Sequence, residues 1–235
     1  MKISDVMKNI SADLSGKRVL ITQKNSWLGP VLCEQFEDLG AEVIGDTRVL
    51  DKPGIAEAVV SEAGPLDILI AHLVVPEPGS LIRETIYDEW RYIYSHLVDP
   101  LPRLIRSVLP QMINRRAGKI VVLGGTTVLN GLSKSSVIDE ARKAQSSYVR
   151  AAGMVTVNHN IQVNNISTDY NDPEYSPQST EIRDQELPES QQKIINGMKA
   201  FQEDIVRFAV FLATSSADYL SGNTFPFRGR TAISL

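Results

Sequence analysis

Histidine and arginine side chains are the candidates for chemistry in this sequence of 235 residues. Its three histidines are His72, His96 and His159, and their spacing gives no His-x-x-x-His pattern. Because there is also a single cysteine, Cys33, we predict no metal site. We expect His72 and His96 to line a pocket or to bond buried backbone groups. Together with Arg142 they could attract an anionic ligand, which would make the chain a small-molecule sensor.

A second group of candidates follows Gly124 and Gly125, the glycine pair at the end of the strand-like run 120–123. Ile138 and Arg142 stand four residues apart, on one face of a predicted helix. Proton transfer to or from an alcohol needs an acid or base of matched pKa, which isoleucine lacks and arginine is too basic to provide. Thr126 or Thr127 could supply a hydroxyl. Tyr148 is about 280° further round the helix than Ile138 and should face elsewhere.

Short apolar segments alternate with stretches of helical periodicity, and these elements must position the candidate residues. Strands that alternate with helices of roughly ten or more residues predict a parallel sheet covered on both faces. We therefore predict an α/β fold with a single doubly wound, Rossmann-type sheet. Pro226 marks the last strand as an edge strand. The predicted strands are Arg18–Thr22, Ala41–Ile44, Leu66–Ala71, Ile120–Leu123, Ile161–Ile166 and Asn223–Phe227, and the predicted helices are Leu28–Leu39, Ile55–Ala63, Leu101–Ile113, Ile138–Val157 and Glu203–Ala213.

Composition and charge restrict the possible partners and the compartment. The net charge is −4 and basic residues are scattered apart from Arg115 and Arg116, so we expect no nucleic-acid or membrane partner. We find no signal peptide or spanning segment, and a lone cysteine allows no intrachain disulfide, which together predict a cytoplasmic protein. We expect Cys33 to be buried. Residues 1–15 are predicted to form an N-terminal extension and residues 16–235 a single domain.

Several phrases of the sequence resemble those of the short-chain dehydrogenase/reductase family. Leu14–Thr22 is similar to the family's opening strand, Gly64–Ile70 to its fourth strand, and Leu109–Val121 to a helix end and the fifth strand. Glu203–Thr224 resembles the closing segment, and this match is the most specific. The resemblance covers nearly the whole chain from Leu14 onward and implies the same Rossmann domain that the periodicity predicts.

The positions that would hold a nicotinamide dinucleotide depart from the family's pattern. The family has a glycine-rich turn that brings the backbone close to the pyrophosphate at a helix N-terminus. Here Gln23 and Trp27 stand at its first two glycine positions, and only Gly29 remains. We expect Trp27 to occupy the phosphate volume, and we expect strain if these residues have positive φ. An alternative is that Lys24 contacts a phosphate directly. His72 replaces an asparagine in the wall of the nicotinamide pocket.

The segment between the family's second and fourth strands is shortened in this chain. Residues 45–64 are all that separates them, and the turn-forming residues 51–54 interrupt that span. The usual helix, strand and second helix need roughly 30 residues or more. We therefore expect one helix, about Ile55–Ala63, without the strand that lies near the cofactor's adenosine. Asp46 could still bind a ribose, although we expect an exposed turn residue there.

The catalytic positions of the family are also replaced. Its strand serine aligns with Gly125, its tyrosine with Ile138, its lysine with Arg142 and its helix asparagine with His96. The resemblance therefore implies a Rossmann domain without the family's hydroxyl groups and proton relay. We expect no cofactor, and NAD or NADP only if the protein is an active, atypical oxidoreductase.

An arginine in place of that lysine is also found in halohydrin dehalogenases, relatives that have lost the cofactor. Residues 165–175 look loosely like their halide-binding segment and overlap an irregular stretch, 169–189, that is rich in polar residues. Because their chemistry still requires the serine and tyrosine hydroxyls, a cofactor-independent enzyme of this type is the less favoured alternative.

The function that we predict is that of a catalytically inactive homologue retained as a structural or regulatory subunit. Family members commonly form dimers and tetramers through the regions that correspond to helices 101–113 and 138–157 and to the closing segment 203–227. These are the least altered parts of this chain. Some relatives pair an active subunit with an inactive one. We therefore expect an oligomer, either of this chain alone or, as we favour, with an active family member as the second subunit. We expect the substrate of such a heteromer to be a CoA thioester.

Overall fold

The strands of the computed structural model, which describes residues 12–75, 85–125, 136–168 and 202–227, form one parallel sheet. They are β1 (Arg18–Ile21), β2 (Glu42–Gly45), β3 (Ile68–His72), β4 (Gly118–Gly125), β5 (Ile161–Thr168) and β6 (Thr224–Phe227). Their order in the sheet is β2-β1-β3-β4-β5-β6, and every neighbouring pair is parallel. The winding reverses between β1 and β3, as in doubly wound folds. The predicted fold class is confirmed.

Helices pack on both faces of this sheet. They are α1 (Gly29–Asp38), α2 (Ile55–Ala63), α3 (Tyr87–Leu97), α4 (Pro100–Arg115), α5 (Ser136–Thr156) and α6 (202–213). Helix α3 is missing from the helices that periodicity predicts. Its buried residues are Ile93, His96 and Leu97, a face too narrow to give a clear apolar repeat.

Successive residues of the central strands pack into two cores on opposite faces of the sheet. Leu20 and Leu69 belong to the core shared with α2, α3, α4 and α5, whereas Ile21 and Ile70 pack with α1 and α6. Burial on both faces makes such strands nearly continuous apolar runs, and every residue of β3 is buried. The sequence located these strands for that reason.

The shortened segment leaves β2 at one edge of the described sheet. One helix, α2, connects β2 with β3, and the outermost strand of the usual order 3-2-1-4-5-6 has no counterpart beside β2. The connection that leads to α2 is anchored by Leu50, which is buried. The predicted loss of a strand is confirmed. At the opposite edge, β6 contains Pro226, as predicted.

Residues 12–15 pack against the domain that follows them. Leu14 is buried in the core with α1, and its N–H donates to the carbonyl oxygen of Leu39 at 3.0 Å. A Cβ on Gly40, which has φ +85°, would lie 2.7 Å from Oγ of Ser15. Residues 1–11 lie outside the described part of the chain, so the extension that we predict for residues 1–15 stays a prediction.

Cys33 is half-buried on α1, which corrects the prediction of a buried thiol. Leu32 and Phe36 occupy the buried stripe of this helix, and Cys33 lies at its border. Burial raises the pKa of the Cys33 thiol, and Glu37 adds to the increase, so the thiol is protonated and a poor nucleophile.

Within the described ranges, no helix is long and apolar enough to cross a membrane. Nor do those residues include three or more His, Cys, Asp or Glu side chains grouped so that they could hold a metal ion.

Helix α5 approaches the segment before β6 at a pair of glycines. A Cβ on Gly153 would lie 2.3 Å from the backbone nitrogen of Gly222. Oγ of Ser221 donates to the carbonyl oxygen of Gly153 at 3.2 Å, and the N–H of Gly222 donates to the carbonyl oxygen of Val163 at 2.7 Å. The closing segment is therefore held between α5 and β5.

We predict that Gly153→Ala destabilises the protein by about 2 kcal/mol, because the added methyl group meets backbone that cannot move without breaking these hydrogen bonds. The sign of this change in stability is informative, because alanine in a helix interior is normally about 1 kcal/mol more favourable than glycine. Urea unfolding measures the change, and Ala151→Gly on the exposed side of the same helix should cost about 1 kcal/mol from propensity alone. A Gly153→Ala variant as stable as the parent would contradict the close approach.

Candidate functional site

The turn after β1 has left-handed backbone conformations at two residues that are not glycine. Gln23 has φ 49° and Trp27 has φ 37°. Such a conformation costs roughly 1 kcal/mol for each residue with a side chain. The positive φ values that were expected at these positions are present, and two large side chains adopt them.

Hydrogen bonds hold this turn to the strands on either side. The N–H of Lys24 donates to the carbonyl oxygen of Asp46 at 2.8 Å, and Oε1 of Gln23 accepts from the N–H of Val74 at 2.6 Å. Gly29 is required sterically, because a Cβ there would lie 2.2 Å from the carbonyl oxygen of Lys24. The turn is thus tied to the end of β2 and to the end of β3.

The Trp27 side chain lies against the end of β3. Its indole is half-buried, and its ring centroid is 6.2 Å from that of His72, with 40° between the ring planes. Gln23 is buried as well. Lys24 extends along β2, since a Cβ on Gly45 would lie 2.3 Å from its Cδ. A phosphate contact by Lys24 and exclusion of a phosphate by Trp27 both stay predictions.

Asp46 is fixed by Arg48 and is not the exposed turn residue that we expected. Its Oδ1 accepts from the backbone N–H of Arg48 at 2.8 Å, and its Oδ2 accepts from Nε of Arg48 at 2.9 Å. Arg48 also pairs with Glu62 on α2, and these two hydrogen bonds raise the pKa of the guanidinium, the bond to Glu62 contributing more. The triad could not be predicted from the sequence, because Glu62 reaches Arg48 only after α2 folds back. Both oxygens of Asp46 therefore already have hydrogen-bond donors.

The imidazole of His72 is buried at the last position of β3. It is 1% exposed, and its ring lies against the backbone of Thr22 and Gln23, although neither ring nitrogen makes a hydrogen bond of good geometry within the described structure. Burial, aided by the nearby Arg142 cation, lowers the pKa of His72 to about 4. The ring is consequently neutral at pH 7, with one N–H donor and one acceptor.

Arg142 reaches from α5 to the residue that follows His72. Its Nη2 donates to the carbonyl oxygen of Leu73 at 3.1 Å, and its Nη1 donates to Oε1 of Gln145 at 3.0 Å. Its Nε is buried and has no partner among the described residues. Arg142 is half-buried as a residue, and the burial of its guanidinium lowers its pKa to about 10, which still leaves the group charged at neutral pH.

A polar cluster that sequence reasoning missed adjoins Arg142. Gln145 is buried and donates from Nε2 to the carbonyl oxygen of Leu97, while Asn165 on β5 is buried and donates from Nδ2 to Oγ of Ser146 at 3.0 Å. A Cβ on Gly124 would lie 3.1 Å from Oδ1 of Asn165 and 3.2 Å from Oε1 of Gln145. Two features of the sequence could have indicated this cluster: Asn165 stands within the apolar run of β5, and Gln145 follows Arg142 by three residues.

Gly125, Ile138 and His96 do not join a set of polar groups in the described structure. Gly125 ends β4 in register with Thr168, and Ile138 packs against the core shared with α2 to α5. His96 is buried on α3, where its Nδ1 donates to the carbonyl oxygen of Tyr92 at 2.8 Å. That hydrogen bond ties the imidazole to its own helix.

Tyr148 does not share a pocket with Ile138, as predicted. It lines a surface groove along α4 together with Arg103, Arg106 and Leu109, and burial raises the pKa of its hydroxyl. Thr126 and Thr127 lie outside the described residues, and so do the irregular stretch 169–189 and most of the segment that looks like a halide site.

The geometry defines the class of protein. A doubly wound parallel sheet with a turn and a helix N-terminus after its first strand is the architecture of Rossmann-type domains. A family model described as enoyl-(acyl carrier protein) reductase matches residues 18–229. The chain belongs to the short-chain dehydrogenase/reductase family.

Characterised relatives align over almost their full length. The chain is 22% identical over 242 residues to the 3-oxoacyl-[acyl-carrier-protein] reductase of Vibrio harveyi, which covers 92% of this chain and 98% of the relative. It is 25% identical over 248 residues to the enzyme of the same name from Pseudomonas aeruginosa, with 92% and 97% covered.

Solved structures show the same fold. An L-sorbose reductase from Gluconobacter frateurii, complexed with NADPH and L-sorbose, superposes with a TM-score of 0.79 at 20% identity and covers 96% of this chain and 100% of its own. A structure titled as a dehalogenation enzyme has a TM-score of 0.75, also at 20% identity, with 92% and 98% covered.

The buried His72 predicts a pH dependence of stability. An unfolded chain holds a histidine of pKa about 6.5, whereas folded His72 has a pKa of about 4. Between these values the unfolded state binds more protons, so the free energy of unfolding falls as the pH decreases, and above about pH 6.5 the group has no effect. We expect His72 to account for a loss of about 2 kcal/mol between about pH 7.5 and 5.

His72→Asn removes this titration, and the variant should lose less stability than the parent over the same interval. Urea unfolding at a series of pH values measures the difference. His159→Asn is the matched control, because His159 is only half-buried and the variant should follow the parent. Equal pH slopes for His72→Asn and the parent would exclude a neutral, buried His72.

Proposed function

We propose that this chain is a non-catalytic member of its family that serves as a structural or regulatory subunit of a heteromeric oxidoreductase. The observation that carries the proposal is the turn after β1, where Gln23 and Trp27 take glycine positions at positive φ. Their side chains are committed to contacts at the end of β3, with Val74 and His72 respectively. A dinucleotide pyrophosphate needs bare backbone at this place.

The catalytic positions support the same conclusion. Reduction of a carbonyl group requires a proton donor beside the hydride acceptor, and family members supply it from a tyrosine. In this chain we align Ile138 with that tyrosine, and its half-buried side chain packs against the core. Arg142 keeps a positive charge at the lysine position, but an arginine holds its proton too tightly to exchange it with a substrate.

The oligomeric role rests on the elements that the family uses for assembly. Apolar side chains are exposed near the end of α5 and in the closing segment: Met154, Val155, Val157 and Tyr219. Exposed apolar groups of this kind suit an interface. The similarity to reductases of 3-oxoacyl-[acyl-carrier-protein] suggests that the active partner reduces or oxidises an acyl thioester, for which we propose a CoA thioester.

An active enzyme is the second candidate, and Arg142 is the observation that favours it. A cofactor-independent enzyme of halohydrin-dehalogenase type would have an arginine there, and one similar structure is titled as a dehalogenation enzyme. An atypical NAD- or NADP-dependent oxidoreductase would instead need a rearranged turn after β1. Both require a substrate hydroxyl to be handled without the serine and tyrosine at positions 125 and 138.

Calorimetric titration with NADH and NADPH tests the cofactor claim. We expect dissociation constants weaker than about 1 mM for both nucleotides, because the inner side of the turn is occupied. The L-sorbose reductase, which has been crystallised with NADPH, serves as the positive control in the same buffer. Submillimolar binding of either nucleotide would favour the active oxidoreductase.

Co-purification of the tagged chain from its native source tests the subunit claim. We expect a stable complex with a second family member that has the serine, tyrosine and lysine that this chain lacks. Size-exclusion chromatography with mass measurement gives the stoichiometry. A homo-oligomer without any dehydrogenase partner would argue against the heteromer.

A further inference from the structure

Helix α4 has apolar side chains on two opposite sides. Its inner side packs into the core through Leu101, Leu104, Ile105, Val108 and Met112. Its outer side lines a groove of about 660 Å³ with Pro102, Leu109, Pro110 and Ile113, and Tyr148 of α5 is also part of the lining. We call this surface the α4 groove. A helix that is apolar on more than one side is normally covered on more than one side.

Helix α5 leaves room for another helix next to the α4 groove. Tyr148 exposes about a third of its surface there. Ala144 and Ser147 lie on the same side of α5, one turn and one residue before Tyr148. Side chains as small as these allow a second helix to approach closely. The two helices therefore present one joint face to a partner.

The α4 groove contains a guanidinium with an unused donor. Nη1 of Arg103 is buried and has no hydrogen-bond partner in the part of the chain that the structure describes. Nη2 of Arg103 lies 4.0 Å from Oδ2 of Asp99, which is the limit for an ion pair. Native proteins leave few buried donors unpaired. An occupant of the groove should therefore bring an acceptor for Arg103.

The same groove also carries an exposed carboxylate. Asp99 lines it one turn before Arg103, and its side chain is 43% exposed. Arg106 lies one turn after Arg103, where its Nη2 is 2.9 Å from Oε1 of Glu57 on α2. Opposite charges thus stand on one helical face, with the acid at its beginning. Such a face is complementary in charge to an antiparallel copy of itself.

We infer that the α4 groove binds the α4 groove of a second copy of this chain across a two-fold axis. A two-fold contact places the same surface of both subunits together, so Asp99 of each copy can accept from Arg103 of the other. The apolar side chains of each copy fill the groove of the other and exclude water. The orphan donor, the exposed acid and the second apolar side of α4 are all accounted for by this one partner.

The size of the face is adequate for a specific contact. Helix α4 has 16 residues and is about 24 Å long, and two neighbouring helices together are about 20 Å wide. The joint face is therefore on the order of 500 Å² in projection, before its corrugation is counted. Two such faces reach the roughly 1,000 Å² in total that a specific interface needs.

This pairing goes beyond the proposed subunit role, because it assigns two surfaces to two different partners. The exposed apolar residues Met154, Val155, Val157 and Tyr219 are not among the residues that line the α4 groove. They remain available to an active subunit while two copies of this chain are paired. Only this second contact rests on the proposed function. A complex assembled in this way contains this chain in pairs.

Sedimentation equilibrium of the purified full-length chain, without any other protein, tests the pairing. We expect a monomer–dimer equilibrium with a dissociation constant on the order of 1 μM, the range of a moderate interface. No larger species should form, because a two-fold contact closes on itself. A chain that stays monomeric at about 100 μM would overturn the inference.

Tyr148→Arg identifies the surface that is used. It adds a cation beside Arg103 and Arg106 and should weaken dimerisation at least tenfold. Tyr219→Arg is the matched control, because Tyr219 is fully exposed outside the groove and its variant should dimerise like the parent. Far-UV circular dichroism checks that both variants fold. The inference fails if Tyr148→Arg dimerises normally or if Tyr219→Arg abolishes the dimer.

A charge reversal tests the pair of Asp99 with Arg103 of the second copy. Asp99→Arg should weaken dimerisation about tenfold, because it sets two cations against each other. Combining it with Arg103→Asp restores opposite charges across the axis and should recover most of the loss. A double variant as weak as Asp99→Arg would refute this contact. Co-purification with an active subunit is measured separately, so failure of the pairing and failure of the subunit role are distinguishable.

Discussion

Strand β3 shares its backbone hydrogen bonds with β1 on one side and β4 on the other, and water reaches none of its five residues. A parallel sheet in this situation must be covered by helices on both faces, because each crossover returns the chain over one face or the other. Every loop that leaves a strand therefore opens at the same end of the sheet. The turn at Gln23, the imidazole of His72 and the glycines that end β4 all lie at that end because the topology places them there.

The turn at that end combines a strained backbone with side chains that bind it to the sheet. Two non-glycine residues at positive φ cost about 2 kcal/mol together. Partial burial of the Trp27 indole returns about 2 kcal/mol, and the hydrogen bond from Val74 to Gln23 adds about 1 kcal/mol. The conformation of the turn persists because the side chains of Gln23 and Trp27 make contacts at the end of β3.

The sequence predicted most of the fold and part of the site. Apolar runs located β1, β3, β4 and β5 because burial on both faces leaves no ambiguity of pattern, and the short span 45–64 revealed the missing strand. Helix α3 was not predicted, because only three of its residues are buried and they give no clear apolar repeat. The positions of Gln23, Trp27 and Arg142 followed from family resemblance. Their partners did not, since Val74, Leu73 and Gln145 are brought near only by tertiary packing. Asp46 shows the same limit, because Glu62 fixes the Arg48 side chain that binds Asp46 only after α2 has folded back.

Loss of the outermost strand has a consequence for how the protein behaves at high concentration. A strand that usually lies inside the sheet becomes an edge, and an exposed edge is a template for pairing with another chain. Strand β2 is four residues long, and Glu42 at its start forms an ion pair with Arg18. The strand at the opposite edge, β6, is equally short, and Pro226 within it has no backbone N–H to donate to an added strand. Both edges of the described sheet therefore resist strand addition, and the deletion leaves the chain protected against edge-to-edge aggregation.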